Sequence, residues 1–235
     1  MAGWSKSQAD KYKAGFYEFL NYTWVKSKDD GYIVLGHNLY GAQTRVIDGI
    51  FGALADDIHD IKILKSRQLG VSTIVRALAL YWHGLFEITG ALVFDTALHL
   101  QEARLELVDM LGRMDPNYKF PRRTGNNRDF LLLENGSRIN MLSAGVKQSR
   151  SGGTLGRGSG IAMAHRSELC SYGDKEGLEA FRAAMSRINP NRLFIDESTA
   201  RGYNLWYDIW EEAKADDHAV TIFCGWWSHP HQKID

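Results

Sequence analysis

Cysteine is nearly absent from this chain. Only Cys170 and Cys224 occur, which excludes a disulfide framework and points to a reducing compartment. No zinc-ligand pattern is present either. No apolar run approaches the length of a membrane span, and the start, MAGWSKSQADKYK, lacks the apolar core of a signal peptide. A soluble, intracellular protein is expected. Net charge is missing too: 28 basic residues face 28 acidic ones, so the total singles out neither nucleic acid nor membrane as partner. Internal repeats and low-complexity stretches are also lacking.

What the chain does have is bulk and a local charge pattern. Its 235 residues, 44% of them hydrophobic, suffice for one large domain or two small ones with a proper core. Between residues 113 and 157 the basic residues, among them Arg122, Arg123, Arg128, Lys147, Arg150 and Arg157, face only Asp115, Asp129 and Glu134. Such a segment suits phosphates, of a nucleotide or of a polynucleotide; a solvated basic face is the plain alternative.

The most informative stretch is residues 61–74, IKILKSRQLGVSTI. An apolar run with Ile61, Ile63 and Leu64 meets a polar turn from Lys65 through Ser66 and Arg67 to Gln68. Leu69 and Gly70 follow, then Val71, Ser72 and Thr73 open a helix-periodic segment. Strand, loop and helix in that order form a phosphate-binding loop, whose N–H groups and helix N-terminus converge on an anion. Gly70 stands where a side chain would obstruct phosphate, and Ser72 where a hydroxyl reaches Mg²⁺. Against the pattern GxxxxGK[ST], Lys65 replaces the first Gly and Val71 the Lys. The cation must then come from Lys65 or Arg67. An ordinary strand-to-helix turn is the alternative.

Around this loop, periodicity predicts helices over residues 5–26, 42–54, 72–86, 98–114, 175–188 and 204–213, with strands at 61–64, 91–94, 161–165, 192–195 and 219–224. Residues 130–133 and 138–142 flank Asn135-Gly136 and read as a hairpin. Residues 145–160, GVKQSRSGGTLGRGSG, form a charged glycine-rich loop. The alternation implies an α/β fold of P-loop NTPase type, RecA-like, with a mostly parallel sheet, flanking helices and a ligand at the strands' carboxyl ends. Residues 1–40 read as a helical extension, 41–228 as the nucleotide-binding domain and 229–235 as the start of a linker. Gln43, in the helix before the first strand, is placed to reach an adenine; a plain surface glutamine is the alternative.

Nucleotide hydrolysis needs a carboxylate at a neighbouring strand end to orient or deprotonate water. Two strand ends compete. Glu168 follows the run at 161–164, while Asp196-Glu197 follows 193–195 and has the more usual hydrophobic-Asp-Glu form.

Lys65 to Thr73 (KSRQLGVST), His165 to Leu169 (HRSEL) and Glu197 to Gly202 (ESTARG) fall in an order and spacing that resembles the ATPase domain of the large terminase subunit of tailed bacteriophages. That family shares the deviant loop with Arg-Gln before the Gly, a catalytic strand ending in Ser-Glu, and a coupling motif close to Glu-Ser-Thr-Ala. The tail at 225–230, GWWSHP, resembles its Trp-containing segment, and the likeness spans residues 40–230. The resemblance implies ATP and Mg²⁺ as substrate and cofactor. Lys65 to Thr73 would cradle the triphosphate, with Ser72 on the metal, Ser167 reaching it through water, and Arg67 sensing. Glu168 would be catalytic, and Glu197, Ser198 and Thr199 would couple hydrolysis to movement.

Val71 and Ser167 depart from the pattern of many relatives, which leaves the Asp196-Glu197 reading open. Further implications are double-stranded DNA, a portal protein and a small terminase subunit as partners, a homo-oligomeric ring, and the host cytoplasm as location, with no membrane. An arginine finger from a neighbouring subunit would be Arg157 or Arg150; both could instead contact solvent or DNA. The nuclease domain of such proteins would need further chain, so an excised motor domain is expected. The rivals are another P-loop translocase, such as a helicase, and a binding module that keeps the fold without the chemistry.

Overall fold

The computed structural model describes residues 3–27, 30–144, 160–173 and 175–228. Helix α1 (Lys6–Asn21) starts on a capping box: Ser5 Oγ accepts from the Gln8 N–H at 3.3 Å and Gln8 Oε1 accepts from the Ser5 N–H at 3.0 Å. The expected helix continued to residue 26, but the chain turns at Tyr22 and forms β1 (Trp24–Lys26), which pairs antiparallel with β2 (Tyr32–Val34). Thr23 sits at the change. Its hydroxyl bonds back to Phe19 O at 2.8 Å, and the β-branched and aromatic residues beyond it favour a pleated pair.

From there the chain alternates. Helix α2 (Gly41–Ala55) precedes β3 (Asp60–Lys65), α3 (Val71–Leu85), β4 (Thr89–Phe94) and α4 (Ala97–Arg113). A meander follows, β5 (Arg123–Asn126), β6 (Phe130–Leu133) and β7 (Arg138–Ser143). Then come β8 (Met163–Ser167), α5 (Lys175–Ala184), β9 (Leu193–Ser198), α6 (Leu205–Lys214) and β10 (Ala219–Cys224). Helix α5 is shorter than its periodicity predicts, because Met185 bridges to Ile161 and the Ser186 N–H donates to Ile161 O at 2.7 Å. Strand β5 had no signal in the sequence; it completes the expected hairpin as a third strand.

The main sheet runs in the order β10-β3-β9-β8-β4-β7-β6-β5. The pairs from β10 to β7 are parallel, and β7-β6 and β6-β5 are antiparallel. Parallel strands are covered on both faces, so β9 is buried along its whole length although half of it is polar. This is the expected α/β class.

One face of the sheet carries α1, α2 and α3 in a single core with many rings. The Trp4 ring stacks on Trp82 at 5.3 Å, and Phe16 and Phe19 pack on Tyr81. Both indoles are anchored to the loop before β9: Trp4 Nε1 donates to Pro190 O at 2.6 Å and Trp82 Nε1 to Asn191 O at 2.8 Å. A smaller core, with Phe181, Trp206 and Ile209, fills the other face.

His83, fully buried in α3, bonds through Nδ1 to Ala79 O at 2.6 Å, so Nδ1 carries the proton. Its Nε2 has no partner among the described residues. Burial pulls its pKa down to about 4. An unfolded histidine titrates near ~6.5, so below that pH the unfolded chain binds the extra proton and the folded chain refuses it. Stability should therefore fall as pH drops, by about 2 kcal/mol between pH 7 and pH 5 from this residue alone. Urea titrations at the two pH values check this, and equal stabilities would mean that the ring is hydrated in solution.

Candidate active site

The parallel register brings the carboxyl ends of β3, β9, β8 and β4 to one edge of the sheet, where a cleft of about 580 Å³ opens. Its walls include Lys65, Arg67, Gln68 and Ser72 from the loop and helix start after β3, Ser167 and Glu168 after β8, and Thr199 and Arg201 after β9. The loop is held in shape by two left-handed residues, Gln68 (φ 62°) and Gly70 (φ 66°). The Ser66 N–H is tied to Cys224 O at 2.9 Å. Leu69 and Val71 are buried in the core beneath it. Val71, at the usual lysine position, therefore anchors α3.

Lys65 sits where the first glycine of the pattern would stand. Its ammonium donates to Ser72 Oγ at 3.1 Å and to Glu168 Oε1 at 3.0 Å, and lies 3.5 Å from Glu197 Oε2. Burial pulls its pKa down, but the charges of Glu197 and Glu168 outweigh that and leave it above the ordinary lysine value. Lys65 is the cation at the centre of the cleft. Arg67 also lines it, with no ion pair among the described residues. Ser72, in the first turn of α3, offers its hydroxyl to the same space.

Glu168 closes β8 in the left-handed region (φ 59°), uncommon for a residue with a side chain, and keeps 29% of that side chain exposed. The competing strand end is arranged differently. Asp196 faces away from the cleft and is fully engaged: Arg166 Nε and Nη2 donate to it at 2.5 and 2.6 Å, and Lys62 Nζ donates at 2.8 Å. Burial opposes its ionisation, yet Arg166 and Lys62 hold its pKa well below the usual carboxylate range. Glu197 points to the cleft side but is completely buried behind Lys65. Its Oε1 accepts from Ser167 Oγ at 2.7 Å and lies 3.1 Å from His165 Nε2. It too stays ionised, since Lys65, His165 and Ser167 overcome the cost of burial. Among the two strand ends, only Glu168 presents a carboxylate to the cleft.

The other predicted residues are placed as follows. Gln43 is buried; its Oε1 accepts from the Tyr40 N–H at 2.8 Å and its Nε2 donates to Gly70 O at 3.1 Å. A Cβ on Gly70 would strike this amide, so the glycine is required by Gln43 as well as by its positive φ. Thr73 accepts a long contact from Arg76 Nη2 at 3.4 Å. Ser198 Oγ accepts from the Cys170 N–H at 2.9 Å, Arg201 Nη1 donates to Ser171 Oγ at 3.1 Å, and Asn204 Nδ2 donates to Cys170 O at 3.2 Å. The proposed coupling segment is thus stitched to the turn that carries Glu168. Arg150 and Arg157 lie outside the described residues, as do His229 and Pro230 of the tail.

Sequence reading missed the α4 side of the cleft. Arg76, one helical turn after Ser72, is ion-paired with Glu106, and His99 Nδ1 pairs with Asp95 at 2.6 Å. Only the four-residue spacing from Ser72 hinted at Arg76. Among the described residues no cluster of His, Cys, Asp and Glu could hold a metal by itself. A Mg²⁺ ion would have to be held by Ser72 together with phosphate oxygens and water, which the free face of that hydroxyl permits.

The parallel sheet, with a loop and helix start converging on a cleft at its carboxyl edge, has the architecture of a P-loop fold. No family model matches the chain, and no curated protein matches it in sequence. Solved structures do. The large terminase of bacteriophage HK97 matches with a TM-score of 0.69 at 16% identity, over 90% of this chain and 43% of its own. The large terminase of a thermophilic bacteriophage matches at 0.63 and 13%, over 79% of this chain and 45% of that one. The ATPase domain of the Thermus phage P74-26 large terminase matches at 0.54 and 13%, over 72% and 77%. The chain has the fold of a large-terminase ATPase domain and spans less than half the length of the first two terminases.

The two strand ends make opposite predictions for stability. Asp196→Asn would leave Arg166 buried without its counter-charge, and Lys62 with Asp60 alone, and should cost about 3–5 kcal/mol. Glu168→Gln, partly in water, should cost less than about 1 kcal/mol. Urea unfolding of both variants measures the contrast; equal losses would mean that Glu168 is buried in solution.

Proposed function

We propose that this chain is the ATP-hydrolysing motor domain of a phage large terminase, moving double-stranded DNA into a procapsid. The observation that carries the reading is the convergence of Lys65, Ser72 and Glu168 at the carboxyl edge of a parallel sheet with the large-terminase fold. The thermophilic-phage terminase has been solved with ADP, which supports a nucleotide as ligand of this fold. The triphosphate lies over the loop from Lys65 to Thr73, with Arg67 at its lip. Ser72 would hold Mg²⁺, which would neutralise charge on the bound triphosphate. Glu168 receives the proton of the attacking water. Lys65 neutralises Glu168 in this structure; a phosphate that draws the ammonium toward itself leaves the carboxylate free to act as base. Movement of the turn at Glu168 passes to Ser198 and Thr199 through their bonds to it.

Residues 41–228 are the motor domain in this reading, with 1–40 as its helical extension and 229–235 leading toward a nuclease domain. Its partners are DNA, the portal and the small subunit, in a ring in the host cytoplasm. No helix among the described residues is long and apolar enough to cross a membrane.

Glu168→Gln should bind ATP within a few fold of the unmodified protein and turn over slower by ~10² or more. Turnover lost in Glu197→Gln with binding intact, and kept in Glu168→Gln, would reverse the assignment. The Lys65→Ala, Arg67→Ala double variant should lose most ATP affinity, since charge-assisted phosphate contacts are worth about 1.5–3 kcal/mol each. Undiminished binding by calorimetry would overturn the loop's role.

Ring assembly makes a further demand. With Arg157 or Arg150 as a finger worth ~10³ to 10⁵ in rate, specific activity should climb with protein concentration, and mixed Arg157→Ala and Glu168→Gln subunits should regain turnover. Flat activity without rescue would exclude the finger.

A further inference from the structure

A second polar cleft, of about 490 Å³, lies at the opposite end of the sheet, beside the amino ends of β3, β9 and β10. Four guanidinium groups line it: Arg166 from β8, Arg182 from α5, Arg187 beyond that helix and Arg192 before β9. We propose that this cleft is a phosphate-binding site, separate from the one that faces Lys65.

The charges lining the cleft do not cancel. Four arginines line it against three carboxylates, Asp57, Asp60 and Asp216, each with other contacts. Asp57 Oδ1 accepts from the Trp4 N–H and lies 2.9 Å from His59 Nε2, Asp60 is paired with Lys62, and Asp216 Oδ1 accepts from the His218 N–H at 2.8 Å. Arg182 and Arg187 make no ion pair among the described residues, and Arg192 donates only to the carbonyl of Asn189, at 3.2 Å. Arg182, half-buried, and Arg187, exposed, thus face the cleft without an ion pair among the described residues, while Arg192 acts on Asp57 through space, and the cleft keeps a positive excess that favours an anion.

Arg166 adds an independent sign. It is 1% exposed; Nε and Nη2 are engaged by Asp196, and Nη1 is buried without a hydrogen-bond partner among the described residues. Its guanidinium lies over the Phe181 ring at 5.6 Å beside the cleft that it lines, with one buried N–H lacking an acceptor. A phosphate suits this better than a carboxylate, because its oxygens point in several directions and each accepts from a different guanidinium fork. Two sources share that chemistry, free phosphate and a DNA backbone.

The test follows the arginine side-chain N–H resonances of ¹⁵N-labelled protein during titration with inorganic phosphate and, separately, with a short DNA duplex. Resonances of Arg67 and Arg76 report the front cleft, so the two sites are read apart. Those of Arg166, Arg182, Arg187 and Arg192 should shift and saturate. In Arg182→Gln, Arg187→Gln, which breaks no ion pair among the described residues and should keep the unfolding midpoint, phosphate should bind ~10-fold or more weaker. If DNA is the source, the duplex should displace phosphate, and its salt slope should shrink by ~1 to 2 in that variant. Saturation by phosphate with no response to the duplex assigns the site to the free anion. Rear-cleft resonances unmoved by both ligands, or equal affinity in the variant, would overturn the proposal.

Discussion

Two adjacent carboxylates in the middle of the sheet set the terms for everything around them. Asp196 and Glu197 follow one another in β9, so the strand's two-residue period sends them to opposite faces. Each is buried and charged, and each is answered by cations from outside its own strand. Lys62 and Arg166 hold Asp196; Lys65 holds Glu197 with help from His165 and Ser167. A one-residue slip of β9 would exchange the two faces and leave these buried charges without partners. The register of β3, β9 and β8 is therefore fixed by charge as well as by packing.

This arrangement gives β9 one face toward the front cleft and one away from it. On the cleft side Glu197 holds Lys65 in position, and Lys65 reaches Ser72 and Glu168. On the other side Asp196 orients Arg166 toward the rear cleft. The hydrophobic-Asp-Glu ending looked catalytic in the sequence because it is the commoner form at such strand ends. In the fold its carboxylates are buried in ion pairs inside the sheet, and the more exposed acid follows β8, whose last residue is a serine.

Most of the alternating framework was legible, because a strand followed by Gly70 and a helix-periodic run at residues 71–85 has few other solutions. Strand β5 was not, and three other things were not either. The β1-β2 pair was hidden because its strands are three residues long and adjoin a strong helix. The end of α5 depended on Met185 and Ser186 meeting Ile161, a contact between distant parts of the chain. The partners of Gln43 and Arg76 likewise come from other elements: Gln43 meets the Gly70 carbonyl, and Arg76 meets Glu106 on α4. Residue type announces that a polar group needs a partner; only the tertiary fold supplies it.

The stacked indoles of Trp4 and Trp82 have an optical consequence. They bond to consecutive carbonyls at the entrance to β9, the strand that carries both buried carboxylates. Two rings 5.3 Å apart couple their electronic transitions, and that coupling depends steeply on spacing and angle. Any shift of the loop before β9 moves their hydrogen-bond acceptors and so alters the pair's emission and circular dichroism. The chain carries its own chromophore for the placement of the strand that holds both buried carboxylates.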